Sequence, residues 1–276
     1  MQQLSIIKIG GNIIDNEPAL QSFLKDFASI QGKKILVHGG GKLATRIAGA
    51  MGIEQQMVDG RRITDAETLK IVTMVYAGYI NKNLVAQLQS YNCNAIGLSG
   101  ADGNVIQSHK RGSDSSIGKA GLDYGFVGDV DSVNSTLLKT LLDAGFSVVL
   151  SPITHDKNGQ LLNTNADTIA QETAKACSSL YDTVLIYSFE KAGVLLNVDD
   201  DTSVIKNIYP ENYLQLKSEQ KIFAGMLPKL DNAFAAIDNG VSKVIIGKAE
   251  KLQELIAGIS GTTITASPIL ETDEEA

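Results

Sequence analysis

Apolar runs that end in glycine alternate along the chain with segments of helical spacing. Residues 4–9 form an almost continuous apolar run, which ends at Gly10-Gly11. Such a run is typical of a strand buried on both faces of a parallel sheet. Residues 20–30 then place apolar side chains three and four positions apart, and residues 33–37 form a second run closed by three glycines. This repeat of strand, glycine turn and helix predicts an α/β fold with right-handed crossovers.

The same alternation continues to residue 265. It predicts helices at residues 43–51, 64–89, 137–144, 168–178, 211–217, 229–239 and 252–256. It predicts further strands at residues 95–98, 147–150, 183–187, 244–246 and 262–265. The Gly- and Ser-rich stretch 100–128 is expected to form loops and short hairpins, with an aperiodic insertion at 110–121, and Asn158-Gly159 predicts a hairpin tip.

Composition and charge exclude several classes of protein. The 276 residues carry 24 Lys and Arg against 31 Asp and Glu, a net charge of −7. This balance argues against a large nucleic-acid footprint, which needs clustered positive charge. No apolar run approaches the roughly 20 residues that span a bilayer, and the N-terminus lacks the features of a signal peptide. We therefore expect a cytoplasmic protein without membrane or nucleic-acid partners.

Cysteine and histidine usage excludes the common structural metal sites. Cys93 and Cys177 lie far apart in the sequence, which rules out a disulfide framework or a zinc finger. We expect both to be reduced and buried. The three histidines are scattered, so we predict no protein-held metal site.

Two glycine turns carry the candidate chemistry. Gly10 and Gly11 follow the first strand close to Lys8, and residues 39–41 are three glycines that follow the second strand and open a helix. Glycine lets the backbone approach a ligand closely, and the N–H groups at a helix N-terminus attract anions. Two such turns on consecutive strands predict phosphate or carboxylate binding. Lys8 itself is unusual, because lysine is rarely buried in an apolar strand without a partner.

A dinucleotide-binding interpretation competes with this one. Gly39-x-Gly41-x-x-Ala44 matches the loose fingerprint after a strand, and Asp59 lies about 20 residues further on, where a ribose-binding acid is expected. A nicotinamide-dependent dehydrogenase is therefore an alternative. Against it, the fingerprint usually opens the first strand–helix unit, and here another unit comes first.

Five short segments carry a more specific signal. They are Lys8-Ile9-Gly10-Gly11-Asn12, His38-Gly39-Gly40-Gly41, Gly60-Arg61-Arg62-Ile63-Thr64, Asn163-Thr164-Asn165-Ala166-Asp167 and Gly225-Met226-Leu227-Pro228-Lys229. In order and spacing they resemble the amino acid kinase family, and within it the enzymes that act on N-acyl-L-glutamate. The resemblance runs from about residue 4 to residue 264.

The resemblance implies a fold and a division of labour. It implies a three-layer αβα sandwich with a mostly parallel central sheet and two lobes. Residues 1–173 would form the N-lobe, which binds acylglutamate and dimerises, and residues 174–264 the C-lobe, which binds ATP. Residues 265–276 are acidic and are expected to form a disordered tail. The boundary falls in a predicted continuous helix, which is compatible with one sheet shared by both lobes.

The implied reaction is ATP-dependent phosphorylation of the γ-carboxylate of N-acetyl-L-glutamate. The products would be N-acetylglutamyl 5-phosphate and ADP, in the second step of arginine biosynthesis, with Mg²⁺ accompanying ATP. N-Succinyl-L-glutamate, or the substrate of a related carboxylate or carbamate kinase, is an alternative within the family. A non-catalytic sensor is disfavoured, because it would not need Lys8, Asp167 and Lys229 together.

The resemblance also assigns roles to individual residues. Lys8 and Lys229 would stabilise the transferring phosphoryl group, and Asp167 would hold the two lysines. The substrate would be bound by Gly40, Gly41, Arg62 and Asn163. The nucleotide would be bound by Gly10, Gly11, Glu190, Lys191, Gly193, Val194, Leu195, Lys221, Ile222, Phe223 and Gly225. Taken without the resemblance, Arg62 and Lys229 fit solvated surface charges better than functional groups.

The sequence departs from the usual family pattern in two places, and the resemblance also predicts how copies of the chain assemble. The family usually has Thr-Asp-Val-x-Gly-Val where this chain has Phe189-Glu190-Lys191-Ala192-Gly193-Val194, so the contacts to ribose and adenine are open. The insertion at 110–121 lies near the expected substrate lid. Because the chain begins directly with its first strand, without the extra N-terminal helix of hexameric members, we expect an arginine-insensitive homodimer paired through the helix at 64–89.

Overall fold

A central sheet and its flanking helices occupy most of the molecule. The computed structural model describes residues 1–58, 61–112, 121–222 and 226–268. The strands are, in chain order, Gln3–Ile9 (β1), Lys33–His38 (β2), Met57–Val58 (β3), Arg61–Arg62 (β4), Ala95–Leu98 (β5), Ile106–Lys110 (β6), Gly128–Val133 (β7), Ser147–Leu150 (β8), Ile153–His155 (β9), Leu161–Asn163 (β10), Asp182–Phe189 (β11), Asn207–Ile208 (β12), Lys243–Lys248 (β13) and Thr262–Ile264 (β14).

The helices alternate with these strands along the chain. The α-helices are Gly11–Ile14 (α1), Glu17–Ser29 (α2), Gly41–Ala50 (α3), Ala66–Thr73 (α4), Asn81–Ser90 (α5), Ser135–Asp143 (α6), Ala166–Cys177 (α7), Pro210–Ser218 (α8), Leu227–Asp238 (α9) and Leu252–Ile256 (α10). A π-helical segment, Met74–Ile80, joins α4 to α5, and single 3₁₀ turns lie at Asp102–Asn104 and Ala249–Lys251. In the described part of the chain, no helix is long and apolar enough to cross a membrane.

Eight strands form one mostly parallel sheet in the order β12-β14-β13-β11-β1-β2-β8-β5. All neighbouring pairs are parallel except β13 and β14. Strand β1 lies near the middle, between β2 of the first half of the chain and β11 of the second. The two halves therefore share one sheet.

Helices cover both faces of this sheet. Side chains alternate along β1, so that Leu4 and Ile6 join one apolar core whereas Ile7 and Ile9 join the other. Helices α6, α7, α8 and α9 contribute buried residues to the first core, and α2, α3, α4, α5 and α10 to the second. This arrangement confirms the predicted three-layer αβα sandwich.

A smaller four-stranded sheet, in the order β10-β9-β6-β7, lies beside the first half of the chain. Strands β9 and β10 form the predicted hairpin, with Gly159 at a positive φ of 86° between them. The glycine- and serine-rich stretch contributes β6 and the start of β7, which pair antiparallel. Most of the predicted insertion, and all of the tail beyond residue 268, lie outside the described residues.

Element bounds differ from the predictions in two places that affect the site. Strand β11 continues to Phe189, beyond the predicted end at Tyr187, because it still pairs with β13 there. The predicted helix at 64–89 begins at Ala66 and passes through the π-helical segment. Its N-cap is Asp65, whose carboxylate accepts from the Thr68 amide at 2.7 Å.

Candidate active site

An ion pair between Lys8 and Asp167 lies at the centre of the site. Lys8 projects from β1, and Asp167 lies in the first turn of α7, which packs on that face of the sheet. The Lys8 Nζ is 2.7 Å from the Asp167 Oδ1. Burial by itself would raise the pKa of the Asp167 carboxyl, but the Lys8 ammonium, together with the charge of Lys229, holds it below its usual value. Asp167 is therefore ionised at neutral pH and keeps Lys8 paired.

Asp167 is not the cap of its helix. The N-cap of α7 is Asn165, whose side chain accepts from the amides of Asp167 and Thr168 at 2.7 and 3.3 Å. The capping amide therefore fixes the backbone of Asp167 and leaves its carboxylate for Lys8.

A cleft of about 330 Å³ brings Lys8 together with Lys229. Lys229 lies in the first turn of α9, and its Nζ is 4.7 Å from the ring centroid of Phe189. The remaining lining comes from both glycine turns and their flanks and from the end of β11, namely Gly10, Gly11, Asn12, Ile13, Gly41, Lys42 and Glu190. Two lysines from distant segments of the chain, one on β1 and one on α9, thus face one space.

The two glycine turns lie against each other beside Lys8. A Cβ atom on Gly11 would lie 3.8 Å from the Gly41 amide nitrogen, and one on Gly39 would lie 3.8 Å from the Gly11 amide nitrogen. Gly40 is the N-cap of α3 and has a φ of +149°, and a Cβ there would overlap the Cδ1 of Ile80. The sequence therefore needs glycine at position 40, and the positive end of α3 faces the cleft.

Arg62 is buried next to the second glycine turn. Its guanidinium donates to the Gly41 carbonyl and the Thr45 hydroxyl, each at 3.0 Å, and to the Gln55 side-chain oxygen. Burial raises the pKa of the Tyr76 hydroxyl, and the positive charge of Arg62 partly offsets this increase. Both N–H groups of the Nη2 nitrogen are engaged, so a bidentate grip on a substrate carboxylate requires exchange of at least one of these bonds.

Asn163 lies at the end of β10 and is hydrogen-bonded to the segment that follows Arg62. Its Nδ2 donates to the Thr64 hydroxyl at 3.0 Å, and its amide donates to the Phe126 carbonyl at 2.9 Å. This connects the small sheet to the segment that carries Arg62. Hydrogen bonds therefore connect Gly41, Arg62 and Asn163 through Thr64, and of the four residues predicted to bind substrate Gly41 lines the cleft.

The predicted nucleotide residues divide into two groups. Glu190, Gly10 and Gly11 line the cleft. Val194 and Leu195 are buried, and Val194 donates its amide to the Thr262 hydroxyl at 2.8 Å. Gly193 packs against the same threonine, where a Cβ would come within 2.7 Å of the hydroxyl oxygen. These three residues therefore support the turn after β11 rather than line the cleft.

The remaining nucleotide residues lie on the surface, in the core or outside the described residues. Lys191 donates to the Val198 carbonyl at 2.9 Å, and Lys221 pairs with Glu219 at 2.7 Å. Ile222 is buried. Phe223 and Gly225 lie outside the described residues, as does Asp59 of the dehydrogenase alternative.

His38 supports the second glycine turn from below. The imidazole is fully buried, and its Nδ1 lies 2.8 Å from the Gly39 carbonyl. A carbonyl only accepts, so Nδ1 carries the proton, and Nε2 accepts from the Asn81 amide group at 3.2 Å. Burial lowers the pKa of His38 to about 4. The positive charge of Lys82 also lowers this pKa, whereas the hydrogen bond to Gly39 raises it. The ring is therefore neutral and rigidly placed.

Four cleft residues were not predicted from the sequence, namely Asn12, Ile13, Lys42 and Phe189. Asn12 and Lys42 each follow a glycine turn by one position, which is the signal that could have found them. Phe189 was noted only as a departure, because nothing local predicts which side chain it meets. Among the described residues, no group of three His, Cys, Asp or Glu side chains converges as a metal site would require.

A second and larger groove, of about 1130 Å³, lies between α2, α3, the π-helical segment and α5. Its lining includes Arg46, Tyr79, Asn83 and Gln87, and it contains neither Lys8 nor Asp167. Lys8 and Lys229, which come from distant segments of the chain, both line the smaller cleft, which we therefore take as the candidate active site.

Known proteins match this chain over nearly its whole length. Acetylglutamate kinase from Cytophaga hutchinsonii is 60% identical over 256 residues, which cover 93% of this chain and 95% of the relative. Acetylglutamate kinase from Phocaeicola vulgatus is 54% identical over 253 residues, covering 92% and 96%.

A solved structure shows the same fold. N-Acetylglutamate synthase from Neisseria gonorrhoeae, complexed with coenzyme A and N-acetyl-glutamate, superposes with a TM-score of 0.78 at 21% identity. The match covers 97% of this chain and 60% of the synthase chain, so the synthase extends well beyond it. The family model described as "Amino acid kinase family" matches residues 3–248. On this match, and on relatives of more than 50% identity, the chain belongs to the amino acid kinase family.

Proposed function

We propose that this chain is an N-acetyl-L-glutamate kinase. It transfers the γ-phosphoryl group of ATP to the γ-carboxylate of N-acetyl-L-glutamate and forms N-acetylglutamyl 5-phosphate and ADP. Relatives named acetylglutamate kinase, aligned over more than nine-tenths of the chain, support this choice of substrate. The observation that carries the proposal is the cleft in which Lys8, Lys229 and both glycine turns meet.

The two lysines supply the charge that phosphoryl transfer needs. A γ-carboxylate oxygen attacks the γ-phosphorus, and the bond to the bridging oxygen of the β-phosphate breaks as ADP leaves. Negative charge on the equatorial oxygens is then stabilised by ammonium groups already aimed at them. Asp167 holds Lys8 at 2.7 Å, so that this lysine need not be ordered during the reaction.

The glycine turns hold the two anions that must meet. Gly10 and Gly11 offer backbone amides to the ATP phosphates, and Gly40 and Gly41, at the N-terminus of α3, offer theirs to the reacting carboxylate. Their contact across the cleft brings two like-charged groups within reach of each other. Two like charges approach at low cost only where fixed dipoles and cations surround them.

Arg62 and Asn163 fix the other end of the acylglutamate. Arg62 binds the α-carboxylate after exchanging a bond to the protein, and Asn163 binds the amide side. The acyl group would then lie towards the small sheet, where Asn163 ends β10. The enzyme would therefore select between N-acetyl and N-succinyl groups at a position away from the reacting carboxylate.

ATP enters as its Mg²⁺ complex, which neutralises charge on the β- and γ-phosphates. Glu190, which lines the cleft, and Asp167, which lies beside Lys8, would supply carboxylate oxygens of the kind that Mg²⁺ prefers. The protein's own contribution is to orient the phosphates against Lys8 and Lys229. The nucleotide side of the site is formed or supported by Glu190, Lys191, Gly193, Val194, Leu195, Lys221, Ile222, Phe223 and Gly225.

The lobes and the assembly complete the proposal. Residues 1–173 form the acylglutamate lobe and residues 174–264 the ATP lobe, in a cytoplasmic homodimer that arginine does not inhibit. Met74 and Tyr79 on the helical segment 66–90 are 54% and 63% exposed, which suits pairing with a second copy. A hexamer mass in analytical ultracentrifugation, or inhibition by millimolar arginine, would contradict this assembly.

Hydroxylamine trapping of acyl phosphate tests the reaction. The enzyme is given Mg-ATP with N-acetylglutamate, N-succinylglutamate or free glutamate in parallel. We expect hydroxamate from N-acetylglutamate and none from glutamate. A faster reaction with N-succinylglutamate would identify N-succinyl as the preferred acyl group. Absence of hydroxamate with all three substrates would overturn the proposed kinase activity. Membership of the amino acid kinase family argues against the dehydrogenase alternative. A titration that follows NADH fluorescence tests whether the protein binds this cofactor.

A further inference from the structure

The ring of Phe189 lies directly against the ammonium group of Lys229. The Nζ is 4.7 Å from the ring centroid, within the roughly 6 Å over which a cation is attracted to an aromatic face. Both side chains line the cleft that contains Lys8 and the first glycine turn. The contact therefore lies inside the candidate active site and involves one of its two charged groups.

Phe189 is held firmly by the sheet. It is the last residue of β11 and pairs with Lys248 of β13 in parallel register. Its partly buried side chain packs against the core on the α7 and α9 side of the sheet. A ring anchored in this way is a fixed platform, because neither its backbone nor its apolar contacts are free to move with the ligand.

In the part of the chain that the structure describes, the Lys229 ammonium has no partner at hydrogen-bonding distance, although its charge acts at longer range on the Asp167 carboxylate. No hydrogen bond or ion pair joins its ammonium to residues 1–58, 61–112, 121–222 or 226–268, although Glu190 lines the same cleft. Lys8 is held differently, by the carboxylate of Asp167. A lysine side chain left alone loses considerable conformational entropy when it is ordered, so the ring matters for its placement.

We propose that Phe189 is a positioning residue, which holds the Lys229 ammonium over the phosphoryl site through its π face. This inference rests on the proposed kinase function. The chemistry of the contact suits the task, because a ring attracts the ammonium without neutralising it. All three N–H donors also keep their capacity for phosphate oxygens, whereas a carboxylate partner would compete with the phosphate for them.

Two substitutions at Phe189 separate the ring from the space that it fills. Phe189→Leu removes the π face, and Phe189→Tyr, the matched control, retains it. We expect Phe189→Leu to lower kcat about 3- to 10-fold while Phe189→Tyr stays near wild type. The KM values for ATP and acylglutamate should change little, because the contact acts on the transferring group. Urea unfolding of each variant verifies that the fold is intact.

A double-mutant cycle with Lys229→Gln tests whether the ring acts through the lysine. In that background Phe189→Leu should have no further effect on kcat. Several results would overturn the inference. They are equal rates for all three residues at position 189, equal losses for Leu and Tyr, a loss that persists without Lys229, or a change confined to the KM for ATP.

The failure of this inference can be distinguished from the failure of the proposed function. If the wild type forms hydroxamate and Phe189→Leu matches it, only the positioning role fails. If the wild type forms none, the kinase function and the positioning role fail together. The contact itself is then read by NMR, as an upfield ring-current shift of the Lys229 ε-methylene protons that disappears in Phe189→Leu.

Discussion

The buried imidazole of His38 should make stability depend on pH in a defined interval. His38→Gln removes this titrating group and keeps an amide that can donate to the Gly39 carbonyl and accept from Asn81. In the wild type, burial lowers the pKa of His38 from 6.5 to about 4. The unfolded chain then binds a proton between these pH values that the folded chain does not, so the folded state loses stability as the pH falls from 6.5 towards 4.

The size of the effect follows from the shift. A difference of 2.5 pKa units (6.5 minus 4) at about 1.4 kcal/mol per unit gives a loss of about 3 kcal/mol in the free energy of unfolding. The loss should be nearly complete at the lower pH and absent above pH 6.5. The lowered pKa of the Asp167 carboxyl acts in the same direction only at lower pH, since its usual value is 3.8.

Urea unfolding of the two proteins across this interval measures the effect. We expect the difference in free energy of unfolding between wild type and His38→Gln to shift by about 3 kcal/mol, in favour of the variant, as the pH falls from 6.5 to 4. His155→Gln is the matched control, because this half-buried ring contacts the neutral Asn104 side chain. Parallel pH profiles for wild type and His38→Gln would refute the reasoning.

Three further predictions concern the site and the core. Lys8→Arg should lower kcat about 10²- to 10³-fold with little change in KM, and Arg62→Lys should chiefly raise the KM for acylglutamate about 10- to 100-fold; steady-state kinetics that interchange the two effects would show the roles to be wrong. Gly40→Ala should lower the free energy of unfolding by about 1–3 kcal/mol, because its Cβ would overlap Ile80 at a φ of +149°; an unchanged urea midpoint would contradict this. Burial raises the pKa of the Cys177 thiol to about 12, so Cys177 should stay unreactive towards a thiol reagent at mildly alkaline pH until urea is added. Rapid labelling of Cys177 in the native protein would contradict this prediction.

Local patterns predicted the elements of the fold because each strand and helix repeats its own period. The apolar run before Gly10 predicted β1, and Lys8 within that run was the clearest sign of function. The partner of Lys8 was not visible locally, because Asp167 lies in another helix and meets it only when α7 packs on the sheet. Only the resemblance to known kinases joined the two in advance.

Features that depend on tertiary contacts were not predicted. The π-helical segment Met74–Ile80 has an ordinary helical pattern, yet it places Tyr76 and Ile80 against the second glycine turn. The contact between Phe189 and Lys229 depends on β11 continuing past its predicted end. Sequence periodicity reports which face of an element is buried, but not which side chain lies opposite.

The measurement that tests the account most directly is NMR observation of the product. N-Acetyl-L-glutamate labelled with ¹³C at the γ-carboxyl carbon is mixed with Mg-ATP and the enzyme. We predict a new ³¹P signal that is coupled to the labelled carbon, appears together with ADP, and is strongly reduced with Lys8→Arg. ADP formation without any coupled signal would contradict transfer to this carboxylate.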